Sequence, residues 1–203
     1  MADILYVYGK NLYVNLTNKC PCRCTFCIRS QTDHLGSAKS LWLQEDPRAE
    51  EVIEGLKQYD LSQYGELVFC GYGEPLNALE TLLTVCDAVR KMGPIKIRIN
   101  TNGLGDLINE RPTAPLLKGR VDAVSVSLNA ATAEQYCEVS RPKFGLPSFD
   151  ALIQYAKDCK EYVPYVQFSI VDVLPKEDMK RCQQIADSVG VHLRIRHFNE
   201  DGE

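Results

Sequence analysis

Six short strand-like segments recur along the chain, each separated from the next by a stretch of helical periodicity. This alternation restricts the fold more than any other feature of the sequence. The segments are NLYVNLT (11–17), ELVFC (66–70), IKIRIN (95–100), DAVSVSLN (122–129), YVQFSIVDV (165–173) and VHLRIRH (191–197). Ahead of the second, Asp46 is the expected N-cap and Pro47 the first turn of a helix that turns Ala49, Val52, Ile53 and Leu56 inward. After it, Leu79, Leu82, Leu83, Cys86 and Val89 share a helix face, and Gly93 is the expected stop. Strand–helix alternation builds a parallel sheet. Six such units predict an α/β fold, a partial (β/α)6 TIM-like barrel of parallel strands. It is expected to form a single domain over residues 1–203, with its chemistry where strand C-termini meet their loops.

Side-chain parity sharpens the barrel. Ile95, Ile97 and Ile99 share one face of their strand while Lys96, Arg98 and Asn100 share the other. Leu12, Val14 and Leu16 oppose Tyr13, Asn15 and Thr17; Val124, Val126 and Leu128 oppose Ser125, Ser127 and Asn129. Val166, Phe168 and Ile170 oppose Gln167 and Ser169, and Leu193 and Ile195 oppose His192, Arg194 and Arg196. With the apolar faces against helices, the polar faces line the lumen. A barrel filled by its own side chains carries branched apolar residues inside, so a polar lumen implies water or a polar ligand. An open sheet with one solvated face is the alternative, although parallel sheets are normally covered on both sides. Cations in such a cavity are costly without anions. Lys96, Arg98, Arg194 and Arg196 therefore predict a small anionic substrate carrying carboxylate or phosphate, unless the last strand is an edge whose arginines are solvated.

The stretch CPCRCTFC (20–27) places four of nine cysteines within eight positions, just past the first parallel strand. The others stand singly at 70, 86, 137, 159 and 182, without the paired spacing of a disulfide framework. Cys86, Cys159 and Cys182 fall on apolar helix faces and are expected as core filler. A net charge of −4 over 203 residues argues against a general polyanion-binding surface, hence against nucleic acid, and favours small-molecule chemistry. The segment MADILYVYGKNLYVNL lacks the basic stretch, long apolar run and cleavage site of a secretory leader, and no apolar run is long enough to span a membrane; a cytoplasmic location is expected. Cys20, Cys24 and Cys27, spaced C-x-x-x-C-x-x-C, suit a 4Fe-4S cluster with three protein ligands and one iron left open. A closed zinc site completed by Cys22 or His34 is the alternative. No further C-x-x-C pair occurs, so one cluster is expected.

Together with GYGEPL after the second strand, NTNG after the third and SLNA ending the fourth, the cysteine loop resembles the radical S-adenosylmethionine (SAM) superfamily. Within it, the pattern is most similar to the TatD family-associated radical SAM proteins. The resemblance implies that Cys20, Cys24 and Cys27 ligate the cluster and that the open iron chelates the methionine end of SAM. Reductive cleavage of SAM would then yield a 5′-deoxyadenosyl radical that takes a substrate hydrogen, with the electron supplied by a donor such as flavodoxin or ferredoxin.

Carried onto this chain, the resemblance nominates the backbone at Gly73 and Glu74 for the methionine ammonium, although Tyr72 stands where the family motif often has glycine. Phe26 is nominated for adenine; Asn100, Ser127 and Asn129 for ribose hydroxyls or the carboxylate; Arg141 for the carboxylate; and Val171 and Val173 for the adenine face. A lid is expected from the 31–45 loop, with Asp33, His34, Trp42 and Glu45, or from a second subunit or the substrate. An activase installing a radical on a partner protein, and a non-enzymatic iron-sulfur or zinc binding module, stand as alternatives.

Overall fold

The computed structural model describes residues 3–33 and 35–197, so His34, expected in the lid, lies outside the described residues. One seven-stranded sheet runs in sequence order: β1 (Leu5–Tyr8), β2 (Asn11–Val14), β3 (Glu66–Phe69), β4 (Lys96–Thr101), β5 (Ala123–Ser127), β6 (Tyr165–Val171) and β7 (His192–Arg196). From β2 onward neighbouring strands are parallel. The helices are α1 (Ala49–Leu56), α2 (Leu79–Met92), α3 (Gly105–Asn109), α4 (Ala133–Ser140), α5 (Pro147–Lys160) and α6 (Lys176–Val189).

The six expected strands are all present, and a seventh precedes them. β1 pairs antiparallel with β2 across the two-residue turn Gly9–Lys10, with Gly9 at a φ of 55°. Such a hairpin strand is invisible to a search for strand–helix units, because no crossover leads to it. The expected 11–17 strand is shorter, since its pairing with β3 ends at Val14 opposite Phe69. The helix start at Asp46 and Pro47 is corrected as well. Arg48 is the N-cap of α1, its N–H donating to Glu51 Oε2 at 2.8 Å, while Asp46 pairs with Lys19 at 2.7 Å. Proline at 47 confers no advantage there, because it falls outside the first turn.

All the long helices pack on one face of the sheet. Leu12, Val14, Leu67, Phe69, Ile97, Ile99, Val124, Val126, Phe168 and Ile170 join Leu82, Leu152 and Ala156 in one buried cluster, and Cys86, Cys159 and Cys182 lie within it as expected. None of the helices α1–α6 covers the opposite face, yet Ser125, Gln167 and Ser169 on it are buried. The sheet covers itself by curling. Arg196 at the end of β7 comes within electrostatic reach of the Cys70 side chain, just past β3, four strand positions away. Across a flat sheet that separation would be about 19 Å. With Ser125, Gln167 and Ser169 buried, this approach favours the partial barrel over the open, one-side-solvated alternative. The curl stops short of closure, with β1 and β7 as edges. Ile195, expected against the helices, is instead 47% exposed on the β7 edge.

The lumen is not uniformly polar. Under β1–β3 it holds a second apolar cluster, Tyr6, Tyr13, Val68 and Tyr72, closed over by Ala38 and Leu41 of the 31–45 loop. Asn15 Nδ2 fastens that loop by donating to Leu41 O at 2.8 Å, and Asn18 Nδ2 donates to Leu43 O at 2.6 Å. The expected polar role of Tyr13 is thereby corrected. Its ring stacks on Tyr6 at 5.1 Å and packs under the loop.

Candidate active site

The cysteine loop sits where β2 leaves the sheet, at the C-terminal mouth of the parallel strands. Three main-chain bonds tie it to the end of α4 and the turn beyond: Arg23 N to Ser140 O at 2.9 Å, Thr25 N to Val139 O at 2.8 Å and Lys143 N to Pro21 O at 2.8 Å. Arg29 donates to the carbonyls of Asn18 and Cys22, at 3.5 and 3.4 Å. A loop of this length without regular structure holds its shape only through such outside bonds.

Cys20, Cys24 and Cys27 are half-buried, whereas Cys22 is 2% exposed. Hydrogen bonding with Cys22 lowers the thiol pKa of Cys20 and brings that of Cys24 down to about 7. The same bonds, to Cys20 first and then Cys24, together with burial, drive Cys22 far upward. Burial also raises Cys27. Cys22 is thus the proton-bearing member, set between two sulfurs that favour the thiolate, with Tyr136 Oη 3.9 Å from its sulfur.

The GYGEPL segment is braced against this loop. A Cβ on Gly73 would stand 2.2 Å from Thr17 O and 2.7 Å from Lys19 O, so only glycine lets the two backbones meet. Glu74 N donates to Lys19 O at 2.8 Å. The Glu74 carboxylate, 3% exposed, accepts from Leu76 N at 3.2 Å, Thr101 Oγ1 at 2.7 Å and Asn102 N at 2.7 Å. Burial raises its pKa to about 7 despite those three donors. Its side chain is therefore committed to bracing NTNG, and only the backbone of this segment is left to meet a ligand. Tyr72, the departure from the family motif, turns away from the mouth. Its hydroxyl donates to Thr32 O and its ring meets Trp42 at 5.0 Å, in the apolar half of the lumen.

Asn102 was not singled out from the sequence. Its Nδ2 reaches Cys22 Sγ at 3.8 Å and Cys20 Sγ at 3.9 Å, and its Oδ1 accepts from Leu104 N at 2.9 Å. Parity offered a signal: Asn102 continues the lumen row of Arg98 and Asn100 one step past the end of β4. Arg29, the cation acting on Cys24 and Cys27, was missed for want of any spacing rule that marks it.

The other nominated residues divide. Asn129 lies buried just past β5 at a φ of 55°, and its Oδ1 is buried with no partner. Ser127 is half-buried at the end of the same strand, and Val171 is buried at the end of β6. Asn100 is drawn inward instead, accepting from Arg98 Nη1 at 2.6 Å. Phe26 is half-buried, its carbonyl accepting from Gln31 Nε2 at 3.4 Å. Arg141 is exposed in a left-handed turn closing α4, beside the cysteine loop. Val173 is 48% exposed beyond β6, and Lys96 is exposed at the far, N-terminal end of β4, so neither gathers with the rest. Of the lid residues, Asp33 accepts from Trp42 Nε1 at 3.2 Å, and Glu45 is exposed.

A family model described as the radical SAM superfamily matches residues 14–189, which takes in every element of this mouth up to α6. The chain belongs to the radical SAM superfamily. Among solved structures it is similar to a radical SAM methyltransferase from Sphaerobacter thermophilus, at 16% identity and a TM-score of 0.48, over 95% of this chain and 68% of that one. No curated protein matches. Radical SAM proteins generally bind a 4Fe-4S cluster and SAM, and the donor set here fits both. Three half-buried thiols lie on one braced loop, two of them biased toward the thiolate form that iron requires. The orphaned Asn129 Oδ1 supplies a buried acceptor that a hydroxyl or ammonium would satisfy. No helix among the described residues is long and apolar enough to cross a membrane.

Proposed function

We propose that this radical SAM protein is an enzyme that cleaves SAM reductively and abstracts hydrogen from a small molecule held in the polar half of its lumen. The carrying observation is the cysteine loop, fixed at the strand mouth by α4, Asn102 and Arg29, with the orphaned acceptor of Asn129 just past the C-terminal end of β5. Cys20, Cys24 and Cys27 would hold a 4Fe-4S cluster. When bound with SAM, it supplies an electron for carbon–sulfur cleavage to methionine and a 5′-deoxyadenosyl radical. The chain's own residues place the cofactor and keep water away. Gly73 lets its segment lie against the cysteine loop, so that backbone acceptors there meet the methionine ammonium. Asn129 and Ser127 receive the ribose hydroxyls, Val171 and Phe26 flank adenine, and Arg141 reaches the carboxylate from the α4 turn. Cys22 keeps its proton between Cys20 and Cys24 and serves as a neighbour to the ligands rather than a fourth one.

The four motifs support placing the chain with the TatD family-associated group. Nine free cysteines support a reducing, cytoplasmic setting, and a flavodoxin- or ferredoxin-type donor is the fitting electron source. The test is anaerobic reconstitution with iron and sulfide, then dithionite and SAM. Methionine and 5′-deoxyadenosine should appear, and Cys24→Ser should lose both the products and about a full cluster of bound iron. An intact cluster without 5′-deoxyadenosine would make the chain a binding module, and radical transfer only to a protein would make it an activase.

A further inference from the structure

The four cations assigned to the lumen from sequence are not equivalent. Lys96 is exposed at the end of β4 remote from the cysteines. Arg98 already has a counterion, with Nε 2.8 Å from Glu66 Oε2, and spends Nη1 on Asn100. Among the described residues, Arg194 and Arg196 on β7 have neither an ion pair nor a hydrogen bond from their guanidinium groups, and Arg196 Nε is buried without a partner. The groups that act on Arg196 most strongly are Cys70, Arg194, Cys24 and Arg98, none of them a carboxylate, and burial pulls its guanidinium below the ordinary range.

Register fixes where these two cations point. Ser169 lies opposite Arg194, Ser127 opposite Ser169, and Val171 opposite Arg196. Neighbours in register share a face, so Arg194 joins two serine hydroxyls in one lumen row near the strand mouth. Two guanidinium groups on one strand face, half-buried and with one Nε wholly buried, call for an anion to offset desolvation and mutual repulsion. Their planar forks suit oxygen pairs on carboxylate or phosphate, with hydroxyl donors alongside. SAM carries a single carboxylate, for which Arg141 and the cluster mouth already provide.

We propose that Arg194 and Arg196 form an anion-binding subsite, and that the substrate of this enzyme carries a carboxylate or phosphate held there beside Ser169. The word substrate rests on the radical SAM function proposed for the chain; the subsite does not. The probe is inorganic phosphate, titrated calorimetrically into the reconstituted protein at low chloride, with and without saturating SAM. One phosphate should bind per chain, with the same affinity whether or not SAM is present, and Arg196→Gln and Arg194→Gln should each weaken it at least tenfold. Absence of binding, or unchanged affinity in the variants, would overturn the subsite. Displacement of phosphate by SAM would give the cations to the cofactor carboxylate and overturn it equally. If Arg196→Gln does not fold, Arg194→Gln, at a half-exposed edge-strand position, decides the matter. Since 5′-deoxyadenosine is measured separately, phosphate binding by protein that releases none would sink the radical reading while supporting the subsite.

Discussion

Under β1–β3 the concave face of the sheet is filled by Tyr6, Tyr13, Val68 and Tyr72 and sealed by Leu41 and Ala38, whereas at β4–β7 the same face carries Ser125, Ser127, Gln167, Ser169, Arg194 and Arg196. The first half is filled by packing: rings stack, the loop is hydrogen-bonded at Asn15 and Asn18, and Tyr72 holds Thr32, with Asn15 Oδ1 its one unpaired buried oxygen among the described residues. The second half leaves Asn129 Oδ1 and Arg196 Nε buried without partners. Native proteins pair more than nine in ten of their buried polar groups; Asn15 Oδ1 sits among packed rings under a bonded loop, whereas Asn129 Oδ1 and Arg196 Nε belong to the half that no side chains fill, the half that can take a ligand. The apolar half fixes the geometry from which the polar half works.

The largest expected effect falls on the filled half. Leu41→Ala removes a side chain that is 1% exposed, and should cost about 2–4 kcal/mol of unfolding free energy in urea titration. A cost below about 1 kcal/mol would mean that the 31–45 loop is not part of the core, and the contrast between the halves would fail.

Next comes the seam, where Glu74 braces GYGEPL against NTNG. Its folded pKa of about 7 lies above the ordinary 4.5, so between those values the folded state keeps a proton that the unfolded chain has released. Stability should therefore be fully present below about pH 4.5, decline through that window, and level off above about pH 7. The drop should be on the order of 2–3 kcal/mol, and Glu74→Gln should flatten it. Urea midpoints at pH 5 and pH 7.5 in both proteins check this; equal slopes in the two would remove Glu74 as the cause.

The smallest effect probes the waiting half. Asn129→Gly keeps the left-handed backbone, which glycine adopts without strain, and deletes only the side chain. Folding stability should stay within about 0.5 kcal/mol of the parent. SAM affinity should fall about tenfold, near 1.4 kcal/mol, the usual worth of one hydrogen bond. An unchanged affinity would show that this acceptor serves something other than the cofactor.

Much of this architecture is legible in the sequence, for identifiable reasons. Alternation with a period of two placed Ile97, Val124, Val126 and Phe168 against the helices and Ser125, Gln167 and Ser169 opposite them, because a strand offers only two faces. Helical spacing likewise buried Cys86, Cys159 and Cys182. What escaped was non-local. β1 forms only because β2 lies across a two-residue turn, and Tyr13, polar by parity, packs under a loop some 25 residues away in the chain. Asn102 and Arg29 gain their roles through bonds to the cysteine loop that no spacing announces.

The sequence by itself determined the strand–helix order, the faces of the strands, and the three-cysteine loop that places the chain among radical SAM proteins, since each depends on residues near one another in the chain. Only the tertiary structure decided which half of the lumen is filled, that Arg98 is neutralised by Glu66 while Arg194 and Arg196 are not, and that the Glu74 carboxylate is spent on bracing. Charge compensation and burial depend on what curls over a residue from distant strands, and that is settled only when the sheet bends.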